Sequence, residues 1–214
     1  MARTQRLFSF DRGLGSRLVA GADEAGRGCL AGPLVAAAVL FDYEALSNAD
    51  RRGLSGLHDS KQMKPEQREE LYPAVLRAAT RVSLVVRCAR GIDDRGLHVT
   101  NLEALASALE RLAPGDGAIC LVDGFPLRRC AVPHRPVVEG DGTSAAIAAA
   151  SVIAKVSRDR YMQSVADRHP GWGFEEHVGY STPEHRAAIE RLGISPLHRR
   201  SFASVAYSQL ELAG

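Results

Sequence analysis

Four acidic residues stand where chemistry could be done. Asp23 and Glu24 are adjacent at the end of the apolar run Leu18-Val19-Ala20-Gly21-Ala22, just ahead of a turn marked by Gly26, Gly28, Gly32 and Pro33. Asp123 ends the run from Ala118 to Val122, and Asp141 ends the segment from Pro136. Taken singly, Asp123-Gly124 and Asp141-Gly142 also read as ordinary Asp-Gly turns after a strand. Together with Asp23 and Glu24 they form a different pattern, because carboxylates at the ends of strands in one sheet repel each other. At ~4 Å and an effective dielectric near 20, each like-charge pair costs roughly 4 kcal/mol. A divalent cation removes that cost, and oxygen-only ligands point to magnesium or manganese rather than zinc. Two such ions about 4 Å apart stabilise the attacking and leaving oxygens of an in-line phosphoryl displacement. The chemistry indicated is hydrolysis of a phosphodiester without a covalent enzyme intermediate.

The elements that must position these acids are legible as alternating runs. Strands are expected over Leu18–Asp23, Leu34–Phe41, Arg81–Arg90, 118–124 and 136–141. Residues 42–64 read as polar loop. Pro65 opens a helix with acids in its first turn, and Pro73 inside it predicts a kink or break. Leu102, Leu105, Leu109 and Leu112 recur at helical spacing over 99–113. A long helix follows from about Thr143 to Arg168. Its first half is apolar nearly all round and belongs inside; its second half, with Arg158, Asp159, Arg160, Asp167 and Arg168, is expected to be exposed. Residues 170–183 read as loop and 183–192 as a short helix. Three early strands, then strands alternating with helices, predict an α/β fold with a mixed sheet covered by helices.

The whole chain is bounded by its composition. Its 214 residues, 23.0 kDa, 45% apolar and 24% charged residues describe one domain of ordinary size, able to bury a core. The formal net charge of +2 neither announces nor excludes a nucleic-acid partner. No apolar run is long enough to span a membrane, and no secretory h-region opens the chain, so a cytoplasmic protein is expected. Cys29, Cys88, Cys120 and Cys130 show neither a CxxC pair nor zinc spacing and read as reduced, mostly buried thiols.

The motifs around the acids carry a resemblance. Asp23-Glu24-Ala25-Gly26-Arg27-Gly28 and Leu30-Ala31-Gly32-Pro33 are followed by Asp59-Ser60-Lys61, Val122-Asp123-Gly124, Gly140-Asp141 and Ala148 to Val156. Then come His177-x-Gly179-Tyr180-x-Thr182 and His198-Arg199-x-Ser201-Phe202. In this order, over about residues 18–202, the chain resembles the type 2 ribonucleases H (ribonuclease HII). The resemblance implies a ribonuclease H-like mixed five-stranded sheet flanked by helices, with a C-terminal helical segment over about 169–202. Residues 1–17 would be an extension and 203–214 a tail. It also implies that Asp23, Glu24, Asp123 and Asp141 are the metal-binding, catalytic acids, taking Mg²⁺ or Mn²⁺, two ions with substrate bound. Gly26, Arg27 and Gly28 would read the ribose 2′-hydroxyl, and Tyr180 would pack on the sugar of the following deoxynucleotide. The glycines fit that role physically, since they let backbone approach a sugar closely and the 2′-hydroxyl separates RNA from DNA. The implied activity is hydrolysis of RNA in RNA–DNA hybrids and incision 5′ of a ribonucleotide embedded in duplex DNA, leaving 3′-hydroxyl and 5′-phosphate ends, by a monomer. Cys29 and Met63 depart from the family's usual proline and leucine, a matter of packing.

Other readings are weaker. Gly21-x-x-x-x-Gly26-Arg27-Gly28 lacks the lysine and hydroxyl residue of a phosphate-binding loop. His177 and His185, eight apart, lack helical ligand spacing and read as surface or packing residues, although the resemblance puts them, with His198, in a segment that shapes the substrate face. Lys61, Ser151 and Lys155 are candidates for contact with nucleic acid. Lys155, one turn after Ser151 on an apolar helix, should face a phosphate backbone or the carboxylates. Asp159 reads as a surface ion pair and Asp59 as a cap. Two competing functions remain open: a DNA-directed nuclease or phosphotransferase on a similar acidic sheet, and a catalytically inactive nucleic-acid binder. The first gives Gly26-Arg27-Gly28 no purpose, and the second expects a missing acid where none is missing.

Overall fold

A computed structural model describes residues 3–202. Its centre is a five-stranded sheet in the order β3-β2-β1-β4-β5, formed by β1 (Leu18–Ala25), β2 (Leu34–Asp42), β3 (Arg81–Arg87), β4 (Ile119–Asp123) and β5 (Arg135–Val137). β1 to β3 are antiparallel neighbours, while β4 runs parallel to β1 and β5 parallel to β4. The expected mixed five-stranded sheet is therefore present.

Helices cover both faces. In chain order they are α1 (Arg3–Gly13), α2 (Asn48–Gly53), α3 (Pro65–Ala78), α4 (Ala89–Arg95), α5 (Leu97–Leu112), α6 (Ala145–Ala166), α7 (Phe174–His177) and α8 (Pro183–Leu192). Alternation along the strands divides the core. Val19, Val35, Ala37, Val39 and Leu121 face α6 and α3, while Ala20, Ala22, Ala36, Ala38 and Val122 face α5. The α6 side is packed through small residues. A Cβ on Gly21 would lie 2.2 Å from backbone atoms of Ala146 and Ile147, so α6 rests directly on β1.

Several boundaries differ from expectation for physical reasons. β3 stops at Arg87, and Ala89 already begins α4. β5 ends at Val137, so Asp141 sits in a 3-10 turn, Gly140–Gly142, rather than at a strand end. Helix α3 runs unbroken through Pro73. The 42–64 segment includes α2, whose Ser47 and Asp50 form a capping box, and a 3-10 turn at Ser60–Gln62.

Arg160 in the second half of α6 is exposed, as are Asp167 and Arg168 just past its end, but Arg158 is not. That guanidinium is fully buried and donates to the carbonyls of Pro33, Ala31 and Val178, each at 2.9 Å. Three carbonyls substitute for the water it gives up. Residues 1–17, set apart in the sequence reading as an extension, include α1, which lies against α6. Asp11 of α1 is buried and accepts from Tyr43 Oη at 2.6 Å and the Ala146 amide at 2.9 Å. The tail, 203–214, lies outside the described residues. Among the described residues, no helix is long and apolar enough to cross a membrane.

Candidate active site

Parallel pairing of β1 with β4 aligns Ala22 with Val122, so Asp23 and Asp123 emerge side by side at the carboxyl ends of adjacent strands. Asp23 shares its strand face with Val19 and Gly21 and turns toward α6. There the Ser151 hydroxyl donates to it, and Ser151 in turn meets Ser60 Oγ at 2.7 Å. Glu24, on the opposite face, turns toward α5 and accepts from the side chain of Asn101. Arg27 Nη1 lies 3.4 Å from its Oε1. Asp123 Oδ1 accepts from the Gly140 amide at 2.7 Å, which ties the β4 end to the turn carrying Asp141.

These acids interact strongly. Burial lifts the Asp23 carboxyl well above the usual carboxylate range, and Glu24 and Asp123 lift it further. Glu24 is raised by burial despite Arg27. Burial also raises Asp141, to about 6; Asp59 and Asp123 add to the rise and Lys61 opposes it. Lys61 Nζ stands 3.9 Å from Asp141 Oδ2.

Asp59 caps the Ser60–Gln62 turn through the Lys61 amide at 2.9 Å, as expected, and its carboxyl also shares a hydrogen bond with Asp141. Burial would raise Asp59, but the Lys61 amide, Asp141 and Gln62 hold it below its ordinary value. The capping signal was readable from sequence, whereas the pairing with Asp141 needed the fold.

Among the described residues, no three His, Cys, Asp or Glu side chains converge closely enough to enclose an ion. Asp23 Oδ2 and Asp141 Oδ2 are nevertheless buried with no hydrogen-bond partner. Buried oxygens without donors, within a set of mutually repelling carboxylates, fit a hard cation that takes its remaining ligands from water and phosphate.

Glu24 and Asp123 border a cleft of about 530 Å³ that also receives Gly26, Arg27, Gly28, Lys61, Lys155 and Tyr180. Gly26 has φ +95°, and a Cβ there would meet Arg158 Nε at 2.3 Å. At Gly28 a Cβ would meet nothing within 4 Å, so its backbone borders open space. Arg199, fully buried, holds the turn by donating to the carbonyls of Arg27 and Gly32.

Tyr180 pairs across to Cys29 as an isolated bridge and shares a hydrogen bond with its thiol. Burial pushes the Tyr180 phenol up to about 12. Its ring carries Lys155 Nζ at 4.8 Å and the Arg158 guanidinium carbon at 5.7 Å. Lys155 differs from expectation in its partner, since its Nζ meets Asp159 at 2.8 Å rather than the four acids. Asp159 is therefore no surface pair: its side chain is 17% exposed, with Arg68 and Arg158 each 3.9 Å away.

Sequence reasoning gave no role to Asn101, Ser60 or Arg68, and it could not show how the histidines beneath Tyr180 are linked. The Ser195 amide donates to His198 Nδ1 at 2.8 Å, leaving Nε2–H to meet His185 Nε2 at 3.1 Å. His185 Nδ1–H then donates to the Tyr180 carbonyl at 2.8 Å. His177 stacks on His185 at 4.1 Å and accepts from the Gly179 amide. His185 and His198 are neutral, each with one tautomer. Burial depresses His185 and His198 to about 4. The reading of these as packing histidines is compatible with that arrangement.

Comparison with known proteins agrees with this architecture. The family model for Ribonuclease HII matches residues 20–205. The chain is 50% identical over 187 residues to Ribonuclease HII of Nocardia farcinica (strain IFM 10152), covering 87% of this chain and 72% of that one. It is 44% identical over 206 residues to Ribonuclease HII of Geobacillus kaustophilus (strain HTA426), covering 95% and 76%. The crystal structure of the ribonuclease H2 from Pyrococcus horikoshii OT3 superposes with a TM-score of 0.74 at 27% identity, covering 92% of this chain and 98% of that one. With a mixed sheet that gathers its acids beside a glycine turn, and with this likeness over most of its length, the chain belongs to the ribonuclease HII family and is an endonuclease of the ribonuclease H class, acting on RNA–DNA hybrids.

Proposed function

We propose that this cleft, besides cutting RNA in hybrids, incises duplex DNA on the 5′ side of an embedded ribonucleotide, leaving 3′-hydroxyl and 5′-phosphate ends. The observation that carries the reading is one cleft shared by Glu24 and Asp123 of the acidic cluster, the Gly26-Arg27-Gly28 turn and the Tyr180 ring. Asp23, Glu24, Asp123 and Asp141 would hold Mg²⁺ or Mn²⁺, two ions with substrate bound. When bound, such ions neutralise the carboxylates and stabilise charge on the attacking and leaving oxygens.

The chain's own residues do the rest. The Ser60–Ser151 pair orients the Asp23 carboxylate, and Asn101 does the same for Glu24. The Gly28 backbone, with open space before it, can approach a ribose closely enough to read its 2′-hydroxyl. Tyr180, backed by Lys155 and Arg158, offers a flat apolar face to the next sugar, where a deoxyribose packs without burying a hydroxyl. Lys61 and Lys155 supply positive charge toward the phosphates. The enzyme works as a monomer in the reducing cytoplasm, where its four free cysteines stay thiols.

The test is a nicking assay on a DNA duplex carrying one ribonucleotide. Cleavage on its 5′ side with Mg²⁺ or Mn²⁺, abolished by EDTA, is expected. Equal cutting of an all-DNA duplex would remove the ribose-sensing role, and full activity of Asp123→Asn and Asp141→Asn would remove the metal assignment.

A further inference from the structure

A second cleft, of about 650 Å³, opens between α1 and α2, away from the acids. Arg12, Arg51 and Arg52 line it together with Phe8, Thr4 and Ser55, and no Asp or Glu is among its lining residues. Among the described residues, none of the three arginines is within 4.0 Å of a carboxylate oxygen. The neighbouring acid in sequence, Asp50, is turned back onto the Ser47 amide and hydroxyl. Among the described residues Arg51 Nε, a buried donor, meets no acceptor, a state that costs free energy until one is supplied. Among the described residues, Arg12 has the Tyr43 ring, 6.0 Å away, and no ion-pair partner.

The position of this cleft follows from α1. At its start, Arg3 Nη1 donates to Gln62 Oε1 at 2.8 Å, next to Lys61 on the rim of the acidic cleft. Thr4 Oγ1 fastens the same turn of helix to the carbonyls of Ser55 and Leu57. From Arg3 to Arg12 is nine residues of helix, about 14 Å at 1.5 Å per residue. At 3.4 Å per base pair that is about four base pairs of duplex. Three arginines in forked geometry, without acids and with hydroxyls beside them, match the chemistry of a phosphodiester backbone.

We propose that the α1–α2 cleft holds the backbone of the substrate duplex at least about four base pairs beyond the rim of the acidic cleft, through Arg12, Arg51 and Arg52. This rests on the reading of the acidic cleft as the place where the duplex is cut. It makes α1 part of the substrate-binding surface.

The experiment compares the wild-type chain with Arg12→Gln/Arg52→Gln, both exposed positions, and with the triple variant that adds Arg51→Gln. Cleavage is measured on an RNA–DNA hybrid of about 24 base pairs and on one with only about three base pairs on either side of the cut, over a range of KCl. On the long hybrid the double variant should raise KM on the order of tenfold with kcat unchanged. The slope of log(1/KM) against log[salt] should flatten by about 2, one unit per lost phosphate contact. On the short hybrid, wild type and variant should coincide, and Arg12→Lys/Arg52→Lys should recover most of the loss.

An unchanged KM and salt slope on the long hybrid would overturn the proposal, as would an equal KM rise on both hybrids. Thermal stabilisation by inorganic phosphate that the variant abolishes, with duplex cleavage unaffected, would assign the cleft to a free anion instead. Should Arg51→Gln fail to fold, the double variant decides. A wild-type chain that cuts no duplex would sink the functional reading itself, whereas normal cleavage by the double variant sinks only this proposal.

Discussion

Lowering the pH from 7.5 to 5 should withdraw stability at two histidines, while the raised carboxyls of Asp23, Glu24 and Asp141 take up protons in the folded state and act in the opposite sense. His185 and His198 have folded pKa values of about 4, against 6.5 for the free side chain, with burial as the first cause in both. The sign follows from proton counting. Between pH 6.5 and 4 the unfolded chain binds protons at these rings and the folded chain does not, so stability falls as pH falls and is fully retained above 6.5. At pH 5 one such ring costs ~2 kcal/mol relative to neutral pH. The two rings share one hydrogen bond, so their protonation is coupled, and the joint cost lies at ~2–4 kcal/mol. That is a large part of a typical stability of ~5–15 kcal/mol.

Geometry explains why neither ring can simply accept the proton. A proton on His185 Nε2 would face the Nε2–H of His198 at 3.1 Å, and His185 Nδ1 is already committed to the Tyr180 carbonyl. Other titratable groups facing the pair are His177, stacked on His185, and His169, which adds to the depression of His198. The assay is urea denaturation at pH 7.5 and 5 for the wild type and for His185→Asn/His198→Gln. The variant starts less stable but should lose ~2–4 kcal/mol less on acidification. An identical loss in both proteins would refute the argument.

Three further outcomes are expected. Gly21→Ala should destabilise the fold by about 3 kcal/mol or more in chemical denaturation and lower hybrid cleavage, because the added methyl would sit 2.2 Å from the α6 backbone and must displace the helix carrying Ser151. Ser151→Ala, which removes the hydroxyl donated to Asp23, should reduce kcat for hybrid cleavage roughly tenfold with little change in KM; an unchanged kcat would remove Ser151 from the positioning of that acid. Asp42, held down to about 2 first by its hydrogen bonds from Arg17, stabilises the fold above the free carboxylate's range and ceases to do so as pH falls toward 2. Because Arg17 is largely exposed, Asp42→Asn should cost only about 1 kcal/mol at pH 7 and nothing near pH 2, which paired denaturation curves would read.

The sequence by itself determined the sheet and the identity of the acidic cluster, because both are written in local signals. An apolar run ending in Asp23-Glu24, a glycine turn and a second apolar run define a hairpin whatever packs around them, and the run ending in Asp123 adds a parallel neighbour. Where those signals were weak the reading drifted. PVVEGD is apolar enough to pass for a strand through Asp141, yet pairing stops at Val137, and only the Gly140 amide on Asp123 draws the following turn into the site.

Tertiary structure alone decided the partners of charged side chains. Arg158 looks like a surface residue on a helix whose exposed half is charged, but the turn at Gly26–Pro33 and the segment before Gly179 close over it with three carbonyls. Lys155 meets Asp159 because they stand one helical turn apart in a partly buried groove, and no spacing rule says whether that groove is open. The same holds for Asp59 beside Asp141, Asn101 beside Glu24, and α1 laid along α6 so that its Arg12 lines a second cleft with Arg51 and Arg52 of α2. Backbone signals act over a few residues, whereas burial of a charge depends on every element that folds over it.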